Sequence, residues 1–309
     1  MSEYEANSAN ASPSTGRQAS VVNAYTEASK SAGKKSPARS YTLEEMQQMA
    51  KRLRCHIVTM ICAAGCGHPG GSLSAVEILT ALYFRVLRHD PADPKWPDRD
   101  RFVLSKGHGA PVLYATLAEA GYLPTEELTT LRRLDSRLQG HTDMRLTPGV
   151  EMSAGSLGQG LSYGVGIALA GRLDHRDYKV YVLLGDGECD EGQVWEAAMF
   201  ASHRKLDNLV AIVDRNKQQL DGSTSEIMEL EPFADKWRAF GWNVVEVDGH
   251  DLKQVVDALE GAKGASGQPT MIIAHTVKGK GVTFMECNLD FHGRAPTPDE
   301  MKQALQELA

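Results

Sequence analysis

The sequence predicts an α/β fold, a parallel sheet with helices on both faces, and three observations carry that expectation. Short apolar runs at residues 180–184, 209–213, 244–247 and 271–274 have the length and composition of buried strands. Between them lie stretches with helical character: Val194, Ala197, Ala198 and Ala201 share one helix face, and residues 233–240 and 252–262 read the same way. Strand and helix therefore alternate, the order in which crossovers join parallel strands and cover both sheet faces.

Residues 1–40 are rich in Ser, Ala, Asn and Lys and poor in large apolar side chains, so they are expected to form a disordered tail. They lack the apolar stretch of a signal peptide. The ordered domain is expected over residues 41–309. It opens with a helix, because Thr42 and Glu45 have the spacing of a capping box and Met46, Met49, Ala50, Leu53, Ile57, Met60 and Ile61 follow at helical intervals. A glycine-rich turn over 65–71 breaks this helix, and Ser74-Ala-Val-Glu77 restarts one, with Val76, Leu79, Tyr83, Val86 and Leu87 on its apolar face. Residues 90–100 are proline-rich and charged, hence a loop. In the glycine-heavy segment 155–166, Leu157, Leu161, Val165, Ala168 and Leu169 mark another helix face, whose N-terminus would offer N–H groups to an anion. After the strands and helices of the second half, Thr297 and Glu300 form a second capping box, with Pro298 at the first helical position of a closing helix through Leu305.

Composition narrows the function. A formal charge of -7 over 309 residues, with no basic stripe, gives no footprint for nucleic acid. No apolar run approaches the ~20 residues that span a bilayer. The five cysteines lack zinc-ligand spacing, Cys62 and Cys66 having no second pair, and are expected as free thiols in a reducing cytoplasm.

The chemistry is expected where strands 180–184 and 209–213 end, since ligands of such sheets sit beyond the carboxyl ends of the strands. The first is followed by Gly185, Asp186 and Gly187, and the second by Asp214, Arg215, Asn216, Lys217 and Gln218. The 28 residues between Gly187 and Asn216 suffice for one helix and a return strand. Asp186 and Asn216 would then offer oxygen ligands to one hard cation, and Mg2+ typically keeps phosphate oxygens beside few protein groups. Gly-Asp-Gly-x-x-Asp also occurs in haloacid-dehalogenase-type phosphatases. Those need an Asp-x-Asp after an apolar strand, whereas Asp98-Arg-Asp100 here follows Pro94 to Pro97.

The Gly-Asp-Gly, the gap and the Asn resemble the fingerprint of thiamine-diphosphate enzymes. From Thr42 to Ala309 the chain resembles the diphosphate-binding half of transketolases. The motifs are Gly67-His68-Pro69-Gly70-Gly71, the run from Phe102 to His108, Gly140-His141, Gly155-Ser-Leu-Gly-Gln-Gly160 and the run from His292 to Pro296. This resemblance implies two cofactors, thiamine diphosphate and Mg2+, with the metal held by Asp186, Asn216 and the carbonyl of Gln218, and with Gly187 against the cofactor. It departs from many relatives in having Arg215, where they have a second asparagine. By the same resemblance His68 and His141 line the substrate channel, and His108 and His292 meet the diphosphate or the substrate's first hydroxyl. Gly155 and Leu157 touch the pyrimidine, and Glu191 meets a glutamate across a subunit interface. Lys278 and Lys280 remain open between a phosphate loop and a solvated basic turn. His56, His89, His175, His203, His250 and His275 are expected to be structural.

Whole transketolases are about twice as long. The resemblance therefore implies a split enzyme, whose partner is a C-terminal subunit carrying the pyrimidine-binding domain and catalytic glutamate, two copies of each. The implied reaction moves a two-carbon ketol unit from a ketose donor to an acceptor. Alternatives are transfer of a glycolyl unit onto a carrier protein, and a non-catalytic regulatory relative of the same fold.

Overall fold

The computed structural model describes residues 41–309; the tail expected over 1–40 lies outside the described residues. Five strands form one sheet: β1 (Arg101–Leu104), β2 (Val180–Gly185), β3 (Leu209–Arg215), β4 (Asn243–Asp248) and β5 (Thr270–His275). Their order is β1-β2-β3-β5-β4, and every neighbouring pair is parallel. The helices, in chain order, are α1 (Leu43–Ala64), α2 (Pro69–Leu73), α3 (Val76–Ala81), α4 (Ala110–Glu119), α5 (Gln159–Leu173), α6 (Gly192–His203), α7 (Thr224–Ile227), α8 (Phe233–Ala239), α9 (Leu252–Lys263) and α10 (Pro298–Leu308).

Side chains alternate along each strand, so β2 and β3 feed two cores. Tyr181, Leu183, Val210 and Ile212 pack with residues of α1, α3, α4 and α9 on one face. Val180, Val182, Leu184, Ala211 and Val213 pack with residues of α5, α6 and α8 on the other. Burial on both faces is why these strands are almost continuously apolar.

Both capping boxes form, with the Thr42 and Thr297 hydroxyls accepting from the Glu45 and Glu300 N–H groups at 3.2 Å each. The closing helix reaches Leu308, three residues past the expected end. Three features differ from expectation, the first being a short helix, Pro69–Leu73, inside the expected glycine turn. The helix after the glycine turn restarts at Val76, because Ser74 and Glu77 bond across the fold. Ser74 Oγ donates to Asp214 at 2.6 Å, and Glu77 receives Arg54 and His250. The edge strand β1 was not anticipated, since four residues paired on one side only are too short to show a pattern. Among the described residues no helix is long and apolar enough to cross a membrane.

Candidate active site

Gly185 lies opposite Asp214 in the β2–β3 register, so the segments leaving both strands open at the same edge of the sheet. Asp186 is 1% exposed. Its Oδ1 accepts the Gly187 N–H at 2.9 Å, and its Oδ2 accepts Arg215 Nη1 at 3.3 Å and the Lys217 N–H. Asn216 Oδ1 accepts the Gln218 N–H at 3.1 Å. Asp186, Gly187, Asn216 and Gln218 line one cavity of about 190 Å³, together with Leu157, Lys106, Lys278, His108 and His292.

The electrostatics of this cavity suit a cation and an anion together. Burial, then the charge of Asp214, pushes the Asp186 carboxyl up to about 6 despite its bonds to Arg215 and two backbone N–H groups. Gln218 Oε1 is buried without a partner. Asp186, the Asn216 amide oxygen and a backbone carbonyl are hard oxygen donors, so the residues fit Mg2+. Opposite them, Lys106 Nζ donates to the Gly71 carbonyl at 2.8 Å and to Asp214. Burial alone would raise the Asp214 carboxyl, but Lys106 and the hydroxyls of Ser74 and Thr276 outweigh it and hold the group below its usual range. Burial and the charge of Lys106 push Lys278 down to about 8. Lys106 is paired with Asp214, so among the described residues Lys278 is the lysine whose charge faces the cavity without a carboxylate partner, a group that fits an anion.

The four histidines singled out by sequence cluster together, and two of them, His108 and His292, line this cavity. His68 precedes α2, and His108 sits in the 3-10 turn Gly107–Gly109. His292 ends the 3-10 turn Leu289–His292, and His141 lies in a loop. The His68 ring centroid lies 5.6 Å from those of both His108 and His292 and 6.1 Å from that of His141. His108 and His292 stack at 5.4 Å. His292 Nδ1 faces Lys278 Nζ at 2.8 Å, whereas His68 Nδ1 is buried with no partner. Burial, followed by neighbouring cations and imidazoles, lowers His68 and His292 to about 4. His108 is driven well down and His141 is lowered, burial leading in both. All four are therefore neutral near pH 7, each with one donor and one acceptor nitrogen.

The segment around Gly155 corrects one expectation. The N-terminus of α5 is not free for a foreign anion, because the buried carboxylate of Glu188 accepts the N–H groups of Gly158 at 2.9 Å and Gly185 at 3.0 Å. The Ser105 hydroxyl links Glu188 to the Gly160 N–H. Gly160 is required here, since a Cβ would lie 2.3 Å from Ser105 Oγ. Leu157 precedes the helix and is 36% exposed, beside the cavity and not within the core. Gly155 also stands before α5, where a Cβ would lie 3.8 Å from the His141 ring. Glu191 is exposed at the start of α6 and packs over Gly158.

Sequence reasoning passed over three groups. Glu188 and Lys106 sat inside recognised motifs without a role, and Lys278 was left open. Lys278 follows β5, the neighbour of β3, and that adjacency was the available signal. Lys280 is half exposed, with Nζ 3.5 Å from Glu286, away from the cavity. Arg215, the departure from the common pattern, is buried and also bonds Thr224 at 3.2 Å and Glu231 at 2.6 Å.

The fold and the site together define a parallel α/β domain with a buried polar cavity beyond the tips of β2 and β3. Residues 45–309 match the transketolase thiamine diphosphate binding domain, and the chain belongs to the transketolase family. It is 53% identical over 264 residues to the 6-deoxy-6-sulfo-D-fructose transketolase subunit of Clostridium sp., a match covering 85% of this chain and 96% of that one. It is 43% identical to one of the named subunits of the apulose-4-phosphate transketolase from Phocaeicola vulgatus, covering 86% and 95%. The crystal structure of transketolase from Campylobacter jejuni superposes with a TM-score of 0.83 at 34% identity, covering 87% of this chain but 43% of that one. The family is one of thiamine-diphosphate-dependent transferases. The chain matches nearly the whole length of relatives named as subunits.

Proposed function

We propose that this chain is the N-terminal, diphosphate-binding subunit of a split transketolase that moves a two-carbon ketol unit from a ketose donor to an aldehyde acceptor. The observation that carries this reading is a cluster of four neutral histidines, two of which, His108 and His292, line a cavity with Asp186, Asn216, Lys106 and Lys278. Asp186, Asn216 and the Gln218 carbonyl would hold Mg2+, while Lys106, Lys278, His108 and His292 would meet the diphosphate. Bound thiamine diphosphate would supply the carbanion chemistry that breaks and forms the carbon–carbon bond. Gly155 and Leu157 would bear on its pyrimidine.

The chain's own residues supply binding and proton transfer. Cleaving the ketose requires loss of the proton from its C3 hydroxyl, and addition to the acceptor aldehyde requires a proton on the new hydroxyl. A neutral imidazole can take one and return the other. His68 and His141 extend the row away from the cavity, where each can both donate to and accept from substrate hydroxyls.

A second chain would carry the pyrimidine-binding domain and the catalytic glutamate, with two copies of each chain in the complex. Leu157, Tyr163, Met199 and Phe200 are exposed apolar side chains on or beside α5 and α6, which supports a partner surface there. Glu191, on the same side, would meet the partner's glutamate. The relatives named as subunits carry the names of sugar substrates, which favours a ketose over a carrier protein. The retained site residues favour catalysis over a regulatory role. Residues 41–309 form the catalytic domain in this proposal, and the five free cysteines suit a cytoplasmic complex. The test is to purify the chain with its partner from the host and assay two-carbon transfer with thiamine diphosphate and Mg2+. Transfer by the pair and none by the lone chain is the expected result. No transfer by the pair would overturn the proposal.

A further inference from the structure

Arg215, where many relatives carry a second asparagine, is the last residue of β3 and is 4% exposed. Its guanidinium lies 5.2 Å from the centroid of the Phe233 ring, which is itself buried. The fork bonds on two sides. Nη1 donates to Asp186 Oδ2 at 3.3 Å and to the Thr224 hydroxyl at 3.2 Å, while Nη2 donates to Glu231 Oε1 at 2.6 Å. Glu231 is held in turn, its Oε2 accepting the Phe233 N–H at 2.7 Å.

These bonds tie two strand ends together through one excursion of the chain. After Arg215 the backbone passes Asn216 and Gln218 and turns back, so that the Thr224 N–H meets the Lys217 carbonyl at 3.0 Å, and it then runs on to Glu231. Asn216, Gln218, Gln219 and Leu220 of this excursion line the cavity. Arg215 thus fastens the turn, at Thr224, and the far end, at Glu231, to the carboxylate that ends β2. The Lys217 N–H reaches the same oxygen, so Oδ2 of Asp186 is held by two donors and Oδ1 by one. A buried cation beside a metal ligand would by itself oppose a metal ion. Here the Glu231 carboxylate neutralises the guanidinium, and the pair can orient Asp186 without adding net positive charge. Groups that hydrogen-bond a ligating carboxylate in this way tune metal affinity.

We propose that Arg215, neutralised by Glu231, is a positioning residue for the cation site. It fixes Asp186 against the segment that bears Asn216 and Gln218, and so raises the affinity for Mg2+. This rests on the assignment of those three residues to Mg2+ given above. The test uses the full chain with its partner and thiamine diphosphate, and reads the Mg2+ concentration at which half of the thiamine diphosphate is retained through gel filtration. The Arg215→Gln, Glu231→Gln double variant removes the ion pair at constant net charge. Its half-retention concentration should rise about 10- to 100-fold, with retention restored at saturating Mg2+. Glu231→Gln alone changes a side chain that is 58% exposed and, among the described residues, is not one that lines the cavity. It should act in the same direction by less, because its effect reaches the site through Arg215. Arg215→Lys, which keeps the charge without the fork, should fall between the wild type and the double variant. An unchanged or lower half-retention concentration in the double variant, with melting of the cofactor-free chain close to wild type, would overturn the proposal. If the double variant melts far lower, Glu231→Gln decides, and an unchanged value there overturns it equally. Retention by the wild type that does not depend on Mg2+ would instead overturn the cation-site reading itself.

Discussion

Two groups of histidines sit within one domain and are treated in opposite ways. His250 belongs to a buried network behind the sheet tips. Its Nδ1 lies 2.9 Å from Glu77, and its Nε2 accepts the Val277 N–H at 2.8 Å. Arg54 reaches the same Glu77 carboxylate at 2.7 Å and the Lys280 carbonyl at 3.0 Å. Glu77 stays below its usual range because these partners outweigh its burial. The network is satisfied and fixes the segment after β5 that presents Lys278. In the crevice, His68 keeps a buried nitrogen without a partner and Asp186 keeps a carboxyl raised to about 6. Buried polar groups are usually bonded. The first group is satisfied within the scaffold, whereas the second leaves His68 Nδ1 buried and unpaired.

Substitutions in the two groups should separate these roles. The largest effect is expected from Asp186→Ala, which removes an anionic oxygen donor. Cofactor retention by the complex in Mg2+ should weaken by more than about 100-fold, measured by thiamine diphosphate content after gel filtration. Wild-type retention would remove Asp186 from the metal site. Next, His68→Ala should lower kcat by about 100- to 10,000-fold, the range for proton-transfer groups, with little change in melting temperature. A large melting loss instead would move His68 into the scaffold group.

His250→Ala should show the converse. Leaving Glu77 and the Val277 N–H short of a partner costs about 1–3 kcal/mol, which lowers the melting temperature by several degrees in a domain of this size. Its rate loss should be far smaller than that of His68→Ala; equal rate losses would erase the distinction. A smaller effect concerns pH. His68 and His292 have folded values near 4, below the ordinary imidazole value of about 6.5. Between those values the unfolded chain binds more protons, so stability is full above about pH 6.5 and falls as pH drops toward 4. Melting of the cofactor-free chain should be lower at pH 5 than at pH 7, and less so in a His68→Phe, His292→Phe double variant. An identical pH slope in that variant would refute the assignment. The smallest effect is expected from removing residues 1–36, whose composition predicts no loss of activity in the complex; a large loss would mean that they contact the site or the partner.

Much of the site was legible before any coordinates. Asp186 and Asn216 follow apolar runs one crossover apart, and parallel pairing brings such strand ends level whatever the details of packing. The four histidines could be picked out because each sits in a glycine-rich or otherwise irregular segment with a recognisable neighbourhood. Glu188 was not legible, since its role depends on α5 docking its N-terminus over the β2 turn. Ser74 and Glu77 even misled, having the spacing that begins a helix while serving Asp214, Arg54 and His250.

Four of the five strands, the longer helices, the parallel sense of the sheet, and the strand ends that carry Asp186 and Asn216 were set by the sequence alone. These follow from periodicity and local hydrogen bonding, which act over a few residues. Tertiary packing was needed to show that Lys106 and Lys278 share the cavity with Asp186 and Asn216, and that Glu188 bonds the N–H of Gly158 before α5. Each of those is a pairing between charged or polar groups far apart in the chain. Its partner is set by which elements pack together, and no local pattern records that.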